Sequence, residues 1–262
     1  MTNVFEAEAT VQKWDDDYYT PISEKLYDKA VCDMLRAMDP PDGATILDAG
    51  CGPGVHSIRV ARAGYNVHSI DLSYTMLNHA RQRVAQNGFA ERAQFDQMDL
   101  TNLSLADDSV DYAFSWGVII HIKEAERAFG ELARVIRPGG RLGLYLTNRT
   151  AVDHKLEPLA RMVLHKPLKA ERQSLGDRLL YRMNDEDLWV WRFDPAAIIE
   201  HLAGFGFDLR YQRSGEFSEI QRRFSGSFRN LLLRLNNYAY KWNAPASLAV
   251  TNLYVFEKRK TG

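Results

Sequence analysis

The chain has 262 residues, 45% hydrophobic and 26% charged, with a formal net charge of -1, a size and balance that suit one large domain and give no global pull toward nucleic acid. Its start, MTNVFEAEAT, lacks the basic and apolar regions of a signal peptide, and its most apolar stretch, VDYAFSWGVIIHI, falls short of the roughly 20 residues that span a bilayer, so a cytoplasmic protein without a transmembrane segment is expected. The two cysteines, Cys32 and Cys51, show no CxxC or Cys/His ligand spacing, which argues against structural zinc and a disulfide framework and predicts no metal.

The first 40 residues read as a helical cover with an aromatic and acidic start, WDDDYY at 14–19, and Pro40-Pro41-Asp42-Gly43 ends it. From 44 to 147 the pattern alternates. Strands are predicted at 44–49, 66–71, 93–97, 110–116 and 141–147. Helices are predicted at 55–63 with Gly64 behind it, at 73–86 with Ser73 as N-cap, and at 123–136 before Arg137-Pro138-Gly139-Gly140. Strands alternating with helices of this length predict parallel β-α-β units, hence an α/β, doubly wound sheet with helices on both faces. A helix over 195–204, with Asp194 as N-cap and Pro195 first, and strands at 207–212 and 252–258 complete the regular part. Two inserts, 148–193 and 214–250, are rich in aromatics, so the whole chain reads as one domain: cover, core and two inserts.

The first strand runs into ILDAGCGPG (46–54), a carboxylate followed by three glycines. In open α/β sheets ligands bind outside the carboxyl ends of the strands, and glycines there let a ligand approach the backbone. Asp48 would repel the pyrophosphate of a dinucleotide, and the spacing is GxGxG with a proline inside rather than GxGxxG. The loop therefore suits a ligand with positive charge and no phosphate. Asp71 suits ribose hydroxyls, which its place at the end of the second strand favours over the alternative of capping the helix starting near Ser73. S-adenosylmethionine, with its ammonium, sulfonium and adenosine, meets both conditions. Cys51 reads as a small space-filling residue of this loop rather than as a nucleophile.

The segments ILDAGCGPG (46–54), HSIDLS (68–73), FDQMDL (95–100), VDYAFSWGVIIHI (110–122) and ELARVIRPGGRLGL (131–144) occur in the order and at the spacings of the class I S-adenosylmethionine-dependent methyltransferase family, and FDPAAIIEHLAGFGFDLRYQ (193–212) is similar to its late helix–strand unit. The resemblance implies a Rossmann-like seven-stranded sheet in the order 3-2-1-4-5-7-6, with strand seven antiparallel. It implies that Asp48 and the loop of Gly50, Cys51, Gly52 and Gly54 hold the methionine part, that Asp71 binds the ribose, and that Leu72 packs on adenine with Met76 nearby. Asp99 then accepts from the adenine amino group, with Met98 and Leu100 beside the ring. Ser115 and Trp116 face the methyl end, and Trp14, Tyr18 or Tyr19 close over the cofactor by cation–π contact.

His121 follows the fourth strand and has two readings, a base taking a proton from substrate or a prop for the loop. The topology sets both inserts over the carboxyl edge. Trp116, Tyr181, Trp189, Trp191, Phe217 and Phe224 are thus expected to line a lid for a bulky, partly apolar small-molecule acceptor, with the lid's own small core as the alternative. The segment QRRFSGSFRNLLLRLNNYAYKW (221–242) is basic and amphipathic and fits a solvated face, an anionic acceptor or peripheral membrane contact. The leading reading is methyl transfer to oxygen or nitrogen of a biosynthetic or secondary metabolite. A lipid-linked or glycan acceptor, a non-catalytic cofactor-binding protein and a nicotinamide oxidoreductase remain as alternatives. Protein and RNA substrates fit less well, because Ser115-Trp116-Gly117-Val118 stands where an NPPY-type tetrapeptide would.

Overall fold

The computed structural model describes residues 3–8, 12, 19–163, 165, 168–183 and 186–260. After a single 3-10 turn, Asn3–Glu6, the elements run α1 (Ser23–Met38), β1 (Thr45–Ala49), α2 (Val55–Arg62), β2 (Asn66–Asp71), α3 (Tyr74–Gln86), β3 (Ala93–Gln97), β4 (Val110–Trp116), α4 (Ala125–Val135) and β5 (Ile136–Thr147). They continue as α5 (Val152–Val163), β6 (Lys169–Gln173), β7 (Gly176–Met183), β8 (Glu186–Phe193), α6 (Pro195–Gly204), β9 (Phe207–Ser214), α7 (Gly226–Lys241) and β10 (Thr251–Lys258).

The main sheet has the order β3-β2-β1-β4-β5-β10-β9. Strands β1 to β5 are parallel, and β10 runs antiparallel to both β5 and β9. This is the 3-2-1-4-5-7-6 arrangement implied by the motifs. Strand β5 begins five residues before the predicted 141, because Ile136 already pairs with Val110. The predicted caps form: Ser73 Oγ accepts from the backbone N–H of Met76, and Asp194 accepts from Ala196.

Helices cover both faces. On one, Phe129 and Leu132 of α4 and Ile198 and Leu202 of α6 pack on Leu142 and Leu144. On the other, Leu26, Met34 and Met38 of α1 pack on Ile46, Phe114 and Val255, together with Tyr240 of α7. The first insert is not simple loop. It holds α5 and a separate three-stranded antiparallel sheet, β6-β7-β8, tied to the end of β5 where Arg149 donates its backbone N–H to Phe193. The second insert holds the 3-10 turn Ile220–Arg223 and α7, which packs along α1.

Candidate active site

At two of its glycines the loop after β1 passes so close to its neighbours that a side chain is excluded. A Cβ at Gly50 (φ 87°) would meet Val118 at 2.4 Å, and one at Gly54 (φ 81°) would meet Ala80 of α3 at 2.8 Å. Nothing lies within 4 Å of the Cβ position at Gly52, so that glycine faces open space. Asp71 holds the loop: its Oδ2 accepts from the backbone N–H of Gly52 at 2.8 Å and its Oδ1 from Ser73 at 2.9 Å. It thus does part of the capping foreseen as its alternative role. Burial raises its pKa, and Glu6 adds to that.

Asp48 is almost fully buried. Ser57 Oγ donates to its Oδ2 at 2.7 Å, and burial pushes its pKa up to about 7, with Asp71 adding repulsion. A carboxylate placed this way gains from a cationic group, which an α-ammonium supplies, so the donor set fits S-adenosylmethionine. Leu72 is exposed beside Asp71, where an adenine could cover it. Asp99 Oδ1 accepts from the N–H and hydroxyl of Thr101, which fixes its carboxyl at the end of β3.

The rest of the expected cofactor set is placed as follows. Met76 and Leu100 are buried. Cys51 packs on Leu77 and Ala80. Ser115 is buried and donates to the carbonyl of Ala49 at 2.9 Å, so its hydroxyl ties β4 to β1. Trp14 and Tyr18 lie outside the described residues. The described N-terminal turn reaches the cleft: Glu6 accepts from the backbone N–H groups of Tyr74 and Thr75, and Phe5 lies 5.7 Å from the ring of His121.

Beyond Gly117 opens a cavity of about 470 Å³ between the sheet edge and both inserts. The sheet side contributes Trp116, Ile120, His121 and Tyr145, and the N-terminal region contributes Tyr19 and Tyr27. Trp116 is the middle ring of a stack, with His56 at 4.5 Å on one face and Tyr145 at 4.1 Å on the other. It therefore offers the cavity an edge, not a face. Burial lowers the pKa of His121 to about 4, opposed by the nearby backbone of Trp189 and helped by Arg222. It is neutral at pH 7.

The insert side of the cavity is far more charged than the aromatic content of the inserts implied. Glu157, Glu219 and Glu216 meet Arg161, Arg192, Arg222 and Arg223 there. Glu157 alone is bonded to three guanidiniums, those of Arg161 (2.7 Å), Arg192 and Arg223 (3.4 Å). Burial opposes its charge, but Arg192 and Arg161 outweigh that and lower its pKa. Burial likewise opposes the charge on Glu219, yet His154 and Arg222 bring its pKa to about 2. Glu216 goes the other way: burial raises its pKa against Arg222 and the hydroxyl of Tyr27. Its backbone N–H donates to both Tyr145 and Thr251.

Tyr181 lines the cavity and accepts from Arg192 at 2.9 Å. Trp116 of that expectation lines it too, whereas Trp189, Trp191, Phe217 and Phe224 do not. Along β8 the cavity takes Leu188, Val190 and Arg192, so the alternation of a strand turns Trp189 and Trp191 to the opposite side. There Trp191 joins the core and donates to the carbonyl of Ile122, while Trp189 lies under Arg178. Phe217 sits outside the lining, and Phe224 is exposed against Phe228. The motifs gave no notice of Glu216, His56 or Tyr145. The available signals were positional: Glu216 lies two residues past β9, His56 opens α2, and Tyr145 is the cross-strand partner of Trp116.

Among the described residues no three His, Cys, Asp or Glu side chains are grouped to hold a metal, and no helix is long and apolar enough to cross a membrane.

The family model of the Methyltransferase domain matches residues 46–140, the stretch that carries β1 to the start of β5. The chain is 37% identical to the demethylmenaquinone methyltransferase of Clavibacter sepedonicus over 178 residues, 66% of this chain and 69% of that one. It is 36% identical over 124 residues to methyltransferase GfsG of Streptomyces halstedii, 47% of this chain and 42% of the relative, and so spans about two fifths of that protein. Among solved structures, a SAM-dependent methyltransferase from Methanosarcina mazei superposes with a TM-score of 0.62 at 20% identity, covering 87% of this chain and 98% of the other, a likeness of fold. Sheet order, glycine loop and sequence relatives agree: the chain belongs to the class I S-adenosylmethionine-dependent methyltransferase family, whose cofactor is S-adenosylmethionine.

Proposed function

We propose that the protein transfers a methyl group from S-adenosylmethionine to an oxygen or nitrogen of a small, polar acceptor bound in the cavity between sheet edge and lid. The observation that carries this reading is the cavity itself, which begins at Trp116, Gly117 and His121, beside the glycine loop. The bound cofactor supplies a methyl group on a sulfonium, an activated leaving group. The chain's own work is to align the acceptor and exclude water.

His121 is the candidate base. With its pKa lowered to about 4, its imidazole is neutral at pH 7, and a neutral imidazole carries one ring nitrogen that can accept a proton. A base with a conjugate-acid pKa near 4 is too weak to ionise a hydroxyl beforehand. It is adequate once the carbon–oxygen bond forms and the carbon–sulfur bond breaks, because the resulting oxonium is far more acidic than an imidazolium. The proton then passes to His121.

The Clavibacter sepedonicus relative acts, by its name, on demethylmenaquinone. An extended apolar quinone tail would want an apolar wall, whereas the lid here presents four arginines and three glutamates. This favours a polar acceptor, and because the four guanidiniums are already paired with these glutamates, an anionic acceptor would share or displace those pairs. The test is an acceptor panel of hydroxylated and aminated metabolites, with and without a carboxylate or phosphate, assayed with methyl-labelled cofactor. Label should enter polar, anionic members. Labelling of apolar quinones alone would overturn the reading of the acceptor.

A further inference from the structure

Helix α7 has two apolar faces. Leu233, Asn236 and Tyr240 are buried against the domain. At about 3.6 residues per turn, Phe228, Leu231, Leu235, Tyr238 and Trp242 line up on the opposite side, and each is at least half exposed, Trp242 by 78%. Phe224 extends this row toward the cavity, packing edge-on to Phe228 with ring centroids 4.8 Å apart. Isolated exposed apolar residues are ordinary, but a continuous stripe marks a contact surface.

The charges beside the stripe indicate what the contact is. No acidic residue occurs between Glu219 and Glu257, while five basic ones do, at 222, 223, 229, 234 and 241. By the same helical spacing, Arg234 and Lys241 fall along one flank of the stripe, both exposed, and Arg223 stands at the start of the segment. The chain as a whole carries a net charge of only -1, so this is a local asymmetry. A second copy seated on the stripe through a two-fold axis would oppose these cations to their own kind. Tyr238 and Trp242 have an apolar body and a polar tip, the form that settles at the boundary between water and acyl chains.

We propose that α7 seats the protein on an anionic lipid surface, lying in the plane of the interface with its apolar stripe among the acyl chains and its basic flank on the headgroups. Arg223 links this surface to the cavity, since it lines the cavity and immediately precedes Phe224. The rim of the cavity therefore sits next to the surface the helix would touch. The proposal is independent of methyl transfer and is tested by binding alone.

The experiment is co-sedimentation of the purified protein with phosphatidylcholine vesicles and with vesicles containing about a third phosphatidylglycerol. The protein should pellet with the anionic vesicles, only weakly with the neutral ones, and should be released by high salt. Leu231→Glu with Leu235→Glu should lower the partition at least tenfold while S-adenosylhomocysteine affinity and melting temperature stay as in the wild type. Arg234→Glu with Lys241→Glu should remove the preference for anionic vesicles. No binding to anionic vesicles would overturn the proposal. So would equal binding by the Leu231/Leu235 variant, or a concentration-dependent dimer that this variant dissociates, since the stripe would then be covered by a second copy.

Discussion

Trp116 lies flat against Tyr145, the two ring centroids 4.1 Å apart and their planes within 6°. The pair joins the ends of β4 and β5, where the two residues are register partners. His56 closes the other face of the indole, and Tyr27 meets its edge at 6.1 Å. The stack is a rigid floor for the cavity, and it carries the first prediction. Trp116→Ala should cost about 3 kcal/mol of stability, the scale of losing a large packed aromatic. Trp116→Phe keeps a ring between His56 and Tyr145 and should cost about 1 kcal/mol. Equilibrium urea denaturation reads both, and equal stability of the two variants would show that stacking does not organise this edge.

The second prediction concerns Asp48. Burial holds its pKa at about 7 in the folded chain, against an ordinary 3.8. The folded state therefore binds this proton more tightly than the unfolded one, so this group's contribution to stability falls as pH rises from about 4 to 7. Asp48→Asn lacks the charge. It should be more stable than the wild type above pH 7, and that advantage should shrink as pH falls and vanish only below about pH 4. Melting curves across this range check the sign. A constant offset between the two proteins would mean that Asp48 is already ionised throughout. An arriving ammonium should reverse the penalty, so cofactor binding near pH 6 should release a proton, seen as a buffer-dependent heat in calorimetry.

The order of the central sheet was legible because each strand of the core announces itself locally. Asp48 and three glycines end β1, Asp71 ends β2, and Pro138-Gly139-Gly140 stand within the start of β5. The inserts were not legible in the same way. Trp189 and Trp191 alternate with Leu188, Val190 and Arg192, and sequence alone does not say which side of a surface strand will meet the cavity. The three-arginine setting of Glu157 is assembled from α5, β8 and the turn after β9, segments that no local pattern connects. Burial also moved the expected behaviour of His121, since a histidine walled in by the lid titrates well below its ordinary range.

That displacement sets the third prediction. With a pKa of about 4, His121 is neutral across the working range, so its titration should leave kcat flat from pH 6 to 9 and bring it down only toward pH 4. His121→Ala should lower kcat by about 10²–10⁴-fold if the imidazole takes the proton, with cofactor affinity changed less than threefold. His121→Asn keeps a hydrogen-bonding side chain of similar reach but cannot accept the proton, so it should be as slow as the alanine variant. A pH–rate profile and kcat for His121→Asn that overlay the wild type would assign His121 to holding the loop against Trp189.

The cofactor cleft is the centre of the account, and Asp71 is the residue on which loop, helix start and expected ribose site converge. Isothermal titration of the wild type and of Asp71→Ala with S-adenosylhomocysteine tests it most directly. The account predicts micromolar binding to the wild type and a loss of about 1–3 kcal/mol in the variant, the scale of leaving buried polar partners unmet, here the N–H groups of Gly52 and Ser73. It also predicts no heat with NAD. An absence of heat with S-adenosylhomocysteine, together with tight binding of NAD, would contradict it.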